Sequence, residues 1–170
     1  MIYPRVLYLN QLSQKKQNGM IKIITGLRRC GKSYLLFNLF YQKLISEGVP
    51  ESHIIKIPLD DLEFEELREK QALYKFIKSK IKDNEPYFCL LDEIQLVEGF
   101  EEVLNSLLHI QNIDIYVTGS NSRFLVKDVI TEFRGRGDEI RMYPLSFNEF
   151  YDGRDDDFIS AWTDYYKIGR

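Results

Sequence analysis

Residues 26–33 of this 170-residue chain are Gly-Leu-Arg-Arg-Cys-Gly-Lys-Ser, which fits the pattern G-x-x-x-x-G-K-[ST] without a mismatch. A β-branched apolar run at residues 20–25 precedes this stretch, and an apolar run typical of a buried helix, residues 34–41, follows it. Glycines let the backbone curl so that successive N–H groups point at phosphate oxygens, and the helix start adds further donors. The pattern in this context predicts a phosphate-binding loop rather than a chance glycine turn.

The loop pattern also assigns chemistry to individual side chains. Lys32 brings a positive charge to the β- and γ-phosphates of a nucleotide, and the Ser33 hydroxyl is a Mg²⁺ ligand. Arg28 and Arg29 contact either the nucleotide or a partner, while Cys30 fits a small loop residue better than a redox switch. The residues expected to contact the nucleotide are Gly26, Leu27, Arg28, Arg29, Cys30, Gly31, Lys32, Ser33 and Tyr34.

An acidic pair follows a second apolar run. Residues 87–91 are unbroken apolar sequence, typical of a strand buried on both faces, and Asp92 and Glu93 come directly after them. In this Walker B arrangement Asp92 holds Mg²⁺, directly or through water, and Glu93 polarises a water for attack on the γ-phosphate. An acidic pair after a strand is also a common helix cap. The phosphate-binding loop upstream favours the catalytic interpretation.

Small polar residues follow the predicted strand at residues 113–118. If this strand lies between those of the loop and Asp92, its end faces the γ-phosphate. Ser120, or with less support Thr118 or Asn121, can then hydrogen-bond the attacking water or the phosphate, the role called sensor 1. The alternative is an ordinary turn with a helix N-cap.

Two arginines between glycines, Arg134 and Arg136, precede the last predicted strand. A guanidinium inserted from a neighbouring subunit can neutralise charge in the transition state of phosphoryl transfer. A surface position without such a role explains these arginines equally well. Asp60 and Asp61, after the second predicted strand, either support the metal or cap a helix, and we favour the cap.

Short apolar runs alternate with helical patterns along the chain, which predicts an α/β fold with a parallel sheet. The predicted strands are residues 20–25, 53–59, 87–91, 113–118 and 139–143. The predicted helices are residues 34–41, 73–81, 100–108, a short helix that starts at the capping box of Ser146 and Glu149, and 158–170. The acidic residues 152–157 predict a loop.

The composition is that of one globular domain, with 44% hydrophobic and 29% charged residues. A net charge of −3 argues against a strongly basic reader of nucleic acid, so nucleic acid stays an unsupported partner. The two cysteines, Cys30 and Cys89, do not form a disulfide framework and fit a reducing cytoplasm. No apolar stretch approaches the ~20 residues that span a bilayer. We therefore expect a cytoplasmic protein without a membrane partner.

Four sequence motifs together resemble those of a known family. They are Gly-Leu-Arg-Arg-Cys-Gly-Lys-Ser, Leu-Leu-Asp-Glu-Ile-Gln, Thr-Gly-Ser-Asn-Ser and Gly-Arg-Gly followed by Tyr-Pro-Leu-Ser-Phe-Asn-Glu-Phe. The same order is seen in AAA-type P-loop ATPase domains, of the ASCE class, from prokaryotic proteins that usually carry a DUF4143 C-terminal region. The resemblance covers about residues 3–152. It implies a core over residues 1–152 and a helical extension over 153–170 that begins a further region.

The resemblance implies a three-layer P-loop NTPase fold around a five-stranded parallel sheet of order 5-1-4-3-2. It also implies that Glu93 is the catalytic glutamate, that Ser120 is sensor 1, and that Arg134 or Arg136 is an arginine finger. A second copy of the chain or a C-terminal domain would supply that arginine.

The motifs predict a protein that binds ATP with Mg²⁺ and hydrolyses the ATP to drive conformational change. The guanine-binding signature of GTPases is missing, which favours adenine by elimination. One alternative is a nucleotide-dependent switch or scaffold with negligible hydrolysis. Another is a phosphotransferase, although the acidic pair favours water as the acceptor.

Overall fold

The computed structural model describes residues 3–119, 133, 135–152 and 157–168, with Ile168 described by its backbone alone. Within them, five strands form one sheet. They are β1 (Ile21–Gly26), β2 (Ile54–Pro58), β3 (Tyr87–Asp92), β4 (Ile113–Thr118) and β5 (Gly137–Met142). The order is β2-β3-β4-β1-β5, and every neighbouring pair is parallel. Read in reverse, this is the expected order 5-1-4-3-2, which is confirmed.

Helices connect the strands and cover both faces of the sheet. The α-helices are α1 (Val6–Gln14), α2 (Lys32–Tyr34), α3 (Tyr41–Ser46), α4 (Lys70–Lys80), α5 (Phe100–Leu107), α6 (Phe147–Tyr151) and α7 (Phe158–Ile168). A π-helical segment, Leu35–Phe40, joins α2 to α3. Three 3₁₀ segments lie at Glu51–His53, Leu62–Arg68 and Ile94–Leu96. No helix among the described residues is long and apolar enough to cross a membrane.

Alternation along the buried strands divides the core into two layers. In β3, Cys89 and Leu91 belong to one cluster with residues of α4 and α5. Phe88 and Leu90 point to the other face, into a cluster with α1 and the helix that follows the loop. Both faces of β3 are therefore covered, which explains its unbroken apolar sequence.

The C-terminal helices α6 and α7 pack through aromatic rings. Phe147 contacts Trp162 edge-on, with ring centroids 4.8 Å apart, and the Tyr165 hydroxyl donates to the Leu145 carbonyl at 2.7 Å. The predicted capping box is confirmed, because the Ser146 hydroxyl accepts from the Glu149 N–H while the Glu149 carboxylate accepts from the Ser146 N–H. The division of the chain at residue 152 stays a prediction.

A charged pair is buried near the amino-terminal ends of the central strands. Lys22 of β1 is fully buried and forms an ion pair with Asp114 of β4, which is almost as buried. The Tyr116 hydroxyl and the Gln17 N–H also donate to the Asp114 carboxylate, at 2.7 and 2.9 Å. Burial lowers the pKa of Lys22, and the charge of Asp114 opposes that shift. Lys22 and Asp114 lie within predicted strands. The alternation of side chains along those strands does not predict that this charged pair is buried.

The parallel arrangement brings the carboxyl ends of β1, β3 and β4 to one edge of the sheet. β4 lies between β3 and β1, as the sensor 1 prediction requires. Thr118, the last residue of β4, pairs with Ile24 of β1, and Val117 pairs with Leu91 of β3. Ligands in open α/β sheets bind in the crevice outside such ends.

Candidate functional site

The loop at residues 26–33 is curled. Its backbone is left-handed at Arg29, with φ of 65°, and at Gly31, with φ of 94°. The Cys30 N–H turns back to donate to the Leu27 carbonyl at 3.3 Å. Left-handed residues in a loop direct successive N–H groups inward and form an anion-binding concavity. The loop also leads directly into α2, which begins at Lys32.

Gly26 has no room for a side chain. Its φ is 149°, and a Cβ at this position would lie 2.2 Å from the backbone oxygen of Met142 and 3.1 Å from Cys30 Sγ. Met142 is the β5 residue that pairs with Gly26. The first glycine of the motif is therefore required by the close approach of β5 as well as by the turn of the loop.

Lys32 is enclosed by its own loop. Its side chain is buried, and Nζ donates to the carbonyls of Gly26 at 3.2 Å and Leu27 at 2.9 Å. Cys30 Sγ lies 3.9 Å from the same nitrogen. The ammonium group is thus held against the loop by neutral acceptors. A phosphate oxygen is a stronger acceptor for an ammonium group than these carbonyls, because the bond is charge-assisted.

The carboxyl group of Asp92 contacts the end of the loop. Asp92 is 3% exposed and accepts a hydrogen bond from the Thr118 hydroxyl, and the Ser33 hydroxyl lies near enough to lower the pKa of Asp92. Burial raises the pKa of Asp92, the charges of Glu93 and Asp60 add to the rise, and the two hydroxyl donors oppose it. The two predicted metal ligands, Ser33 and Asp92, are therefore neighbours in the structure.

Glu93 lies in a sharp turn beyond the strand. Its backbone is left-handed, with φ of 54° and ψ of 46°, and it precedes the 3₁₀ segment Ile94–Leu96. The Glu93 N–H donates to Thr118 Oγ1 at 3.1 Å, and the Gln95 side-chain amide donates to the Glu93 carboxylate. Left-handed backbone at a residue other than glycine is uncommon and concentrates at functional sites. Gln95 is the last residue of the Leu-Leu-Asp-Glu-Ile-Gln motif, and no role was predicted for its side chain.

The remaining predicted catalytic residues are only partly described. Ser120 and Arg134, and the alternative Asn121, lie outside the described residues. Arg136 precedes β5 at the edge where Gly137 pairs with Ile21, opposite to the loop, and its Nη1 donates to Asn105 Oδ1 at 2.7 Å. Six residues of strand separate the two edges, which is roughly 20 Å. Arg136 does not reach the loop of its own chain.

The two aspartates after β2 differ in role. The Asp61 carboxylate accepts from the Glu63 N–H at 3.0 Å and caps the 3₁₀ segment, so the predicted cap is confirmed at this residue. Asp60 lies near enough to Asp92 for its charge to raise the pKa of that carboxyl group. The described residues contain no group of three or more His, Cys, Asp or Glu side chains that could hold a metal ion.

A cavity of about 540 Å³ opens beside the loop. The residues that line this cavity are far apart in the sequence, and the sequence motifs did not predict that they share a cavity. It includes Tyr3, Arg5, Arg29, Tyr34, Phe150 and Tyr165. Small-molecule sites are typically cavities of ~300–1,000 Å³ with aromatic walls and few polar groups.

A larger cavity, of about 920 Å³, lies along the edge strand β2, and its lining contains none of the residues predicted to contact the nucleotide. The smaller cavity is therefore the one that belongs with the loop.

Comparison with known proteins identifies sequence relatives over most of the chain. A family described as AAA domain matches residues 18–151. An uncharacterized protein of Haemophilus influenzae is 37% identical over 158 residues, which are 92% of this chain and 39% of the relative. An uncharacterized protein of Methanocaldococcus jannaschii is 34% identical over 134 residues, covering 76% of this chain and 28% of the relative. The chain thus spans well under half the length of these relatives.

Solved structures with the same architecture have low sequence identity. AMPPCP-bound DnaA from Aquifex aeolicus superposes with a TM-score of 0.60 at 17% identity, covering 96% of this chain and 55% of that chain. C. elegans PCH-2 gives a TM-score of 0.58 at 18% identity, covering 96% of this chain and 46% of that chain. At these identities the likeness establishes the fold.

Proposed function

The chain belongs to the AAA domain family, and on this premise we propose that it binds ATP together with Mg²⁺ and hydrolyses the ATP. The observation that carries the proposal is the proximity of the Ser33 hydroxyl, at the end of the curled loop, to the buried carboxyl group of Asp92, at the end of β3, whose pKa the hydroxyl lowers. These two side chains come from separate motifs and lie close together, which supports a shared role in holding a nucleotide-bound cation through their oxygens.

The donor set beside the loop fits Mg²⁺. Both groups are hard oxygen ligands, and Asp92 is a buried carboxyl group with the charges of Asp60 and Glu93 nearby, which a cation would offset. Two protein ligands suffice when phosphate oxygens and waters complete the coordination. When bound, Mg²⁺ neutralises charge on the β- and γ-phosphates.

The loop residues bind the polyphosphate. The inward N–H groups of the loop and the start of α2 hold the phosphate oxygens, and Lys32 exchanges its bonds to the Gly26 and Leu27 carbonyls for bonds to phosphate. Because the ammonium group is already buried against the loop carbonyls, we expect this exchange to need little movement.

Glu93 acts as the general base. Its carboxylate takes a proton from a water whose oxygen attacks the γ-phosphorus, the bond from that phosphorus to the bridging oxygen breaks, and ADP and phosphate leave. Thr118 fixes the geometry, because its hydroxyl donates to Asp92 and accepts from the Glu93 N–H. A proposed role for Ser120 in contacting the water follows from the position of β4, which ends at Thr118.

The base of the nucleotide occupies the cavity beside the loop. The rings of Tyr34 and Tyr165 offer apolar surface to a planar heterocycle, and Arg5 and Arg29 supply donors at the same cavity. Tyr34 and Arg29 are contiguous with the phosphate-binding residues, so one nucleotide can span both places.

If Arg136 is an arginine finger, it contacts the nucleotide bound to another chain. The residue lies at the sheet edge opposite to its own loop, so a guanidinium at this position acts only across an interface between copies. The finger role of Arg134, which lies outside the described residues, stays a prediction from the sequence.

Phosphate release from ATP tests the proposed hydrolysis. We expect Mg²⁺-dependent turnover by the unaltered chain, and a loss of ~10²-fold or more in Glu93→Gln with nucleotide affinity retained, because a general base contributes ~10²–10⁴-fold. Binding without release in the unaltered chain would favour a switch or scaffold. Failure to bind ATP would refute the proposal.

A further inference from the structure

The turn after β3 places a second polar side chain beside Glu93. The left-handed backbone of Glu93 reverses the chain, and the 3₁₀ segment that follows is closed by the Leu96 N–H, which donates to the Glu93 carbonyl at 3.0 Å. Ile94 and Val97 are buried and anchor this segment in the core. Gln95, between them, turns back so that its side chain meets that of Glu93.

The contacts of Gln95 are asymmetric. Its Nε2 donates to Glu93 Oε2. Its Oε1 is buried and has no donor among the residues that the structure describes. Exchanging the two amide atoms would set a carbonyl oxygen against a carboxylate, so the orientation that donates to Glu93 is the favourable one. Leaving a buried acceptor without a partner costs free energy.

We propose that Gln95 is a positioning residue for hydrolysis, which acts by holding the carboxylate of Glu93 in one orientation. This inference rests on the proposed role of Glu93 as the general base. A glutamate side chain has three rotatable bonds, and a donor fixed on the same turn restricts them so that one carboxylate oxygen stays directed at the water. The hydrogen bond is charge-assisted and therefore among the stronger ones available.

A role of Gln95 in folding is the competing explanation, and its contacts argue against it. Ile94 and Val97 already fix the 3₁₀ segment through burial. Gln95 adds one bond to a neighbouring side chain and a buried oxygen for which the described part of the chain supplies no donor. Residues that are retained for function at the expense of stability have this character.

The experiment compares Gln95→Leu with Gln71→Leu, the same change at an exposed helix position remote from the site. In Gln95→Leu we expect kcat to fall about 10–100-fold, the range found when a supporting hydrogen bond to a site residue is removed. KM and the Kd for ATP should stay within about 2-fold, because Glu93 is not proposed to bind the nucleotide. The Tm should be unchanged or higher. Gln71→Leu should match the unaltered chain in all four quantities.

Two further variants separate positioning from folding. Gln95→Glu keeps the size of the side chain but sets a second carboxylate against Glu93, and we expect at least as large a loss of kcat. In a Glu93→Gln background, Gln95→Leu should leave the residual single-turnover rate unchanged, because effects that pass through one residue are not additive. A crystal structure of Gln95→Leu should show the Glu93 carboxylate rotated away or in several orientations.

The outcomes distinguish the two proposals. An unaltered kcat in Gln95→Leu, with the unaltered chain active and Glu93→Gln inactive, would overturn the positioning role and leave the ATPase proposal standing. A fall in Tm together with an equal loss of rate in the Glu93→Gln background would show a folding role and also overturn it. Absence of turnover in the unaltered chain would overturn both proposals.

Discussion

At the scale of single residues, Asp92 is proposed to bind Mg²⁺, and the burial of its carboxyl group opposes folding. Burial holds its pKa above the ordinary value of ~3.9, so the folded state binds the proton more tightly than the unfolded state. The contribution of this carboxyl group to stability is greatest below the ordinary pKa, and it is lost as the pH rises through the folded pKa. At neutral pH the ionised group destabilises the chain unless a cation is bound.

Asp92→Asn should therefore stabilise the protein in the absence of nucleotide and Mg²⁺. The amide is nearly the same shape, has no charge to desolvate and still accepts from Thr118. A net gain of ~1 kcal/mol corresponds to a Tm increase of about 2–4 °C for a chain of this size. Thermal unfolding at neutral pH, in EDTA, measures it, and the gain should shrink as the pH falls toward 4. A lower Tm for the variant at neutral pH would contradict this explanation.

The same substitution at Asp114 should have the opposite effect. Asp114 is paired with the fully buried Lys22, so Asp114→Asn leaves a cation without its partner in the core. Removing one member of a buried pair costs ~3–5 kcal/mol. Urea denaturation should show the loss as a lower midpoint. An unchanged midpoint would mean that Lys22 is neutral or reaches solvent in the folded state.

At the scale of elements, the contact between β1 and β5 fixes the start of the loop. Gly26→Ala places a Cβ 2.2 Å from the Met142 backbone oxygen, and this atom cannot move without displacing β5. Gly48→Ala is the matched control, since Gly48 also has positive φ, at 88°, but has nothing within 4 Å of the added carbon. The control should lose only ~1–2 kcal/mol, the cost of left-handed backbone at one residue.

We expect Gly26→Ala to lose more stability than Gly48→Ala and to lose ATP affinity as well, because the loop would shift with the strand. Chemical denaturation and nucleotide titration of both variants provide the measurement. Equal stabilities of the two variants would show that β5 is not packed against the loop.

The end of β4 connects the two acidic residues of the site. Thr118→Val keeps the shape of the side chain but removes the donor to Asp92 and the acceptor for the Glu93 N–H. Removing this hydroxyl takes away two hydrogen bonds, one of them to an acidic side chain, at a cost of ~1–3 kcal/mol. We expect reduced stability and a lower kcat. Unchanged stability and an unchanged kcat in Thr118→Val would show that Thr118 does not contribute to the site.

Local sequence pattern predicted the five strands well but did not predict the first helix, Val6–Gln14. The strand predicted at residues 113–118 is Ile113–Thr118, and the one predicted at 20–25 is Ile21–Gly26. Apolar runs and the turn residues after them fix such segments because their side chains alternate between two buried faces. The order of the strands in the sheet was predicted from the family resemblance. Local sequence patterns do not predict on which side of a strand the next strand of the chain pairs.

The parts of the site that were missed depend on tertiary structure or on one unusual backbone angle. The Gln95 side chain reaches that of Glu93 because the backbone of Glu93 is left-handed. An acidic residue after a strand does not by itself predict this backbone conformation. Tyr3 and Tyr165 meet at the same cavity although they lie at opposite ends of the chain. The segment Leu35–Phe40 was predicted as ordinary helix and is π-helical, since apolar spacing does not distinguish the two.

At the scale of the whole molecule, nucleotide binding should stabilise the entire fold. The proposed ligand contacts elements from both ends of the chain, so opening any of them releases it. A ligand that binds only the folded state at 100 times its Kd adds ~2.7 kcal/mol. Thermal unfolding with ATP and Mg²⁺ should show a Tm higher by roughly 5–10 °C. Asp92→Asn should lose the part of this increase that depends on Mg²⁺.

Calorimetric titration of ATP into the protein, with Mg²⁺ and with EDTA, addresses the whole proposal in one experiment. We expect one ATP per chain, tighter binding with Mg²⁺ in the unaltered protein, no binding by Lys32→Met, and unaltered binding by Lys80→Ala, an exposed lysine on α4. Equal affinities for ATP with and without Mg²⁺, or binding that survives Lys32→Met unchanged, would contradict the assignment of the loop and Asp92 as a magnesium–nucleotide site.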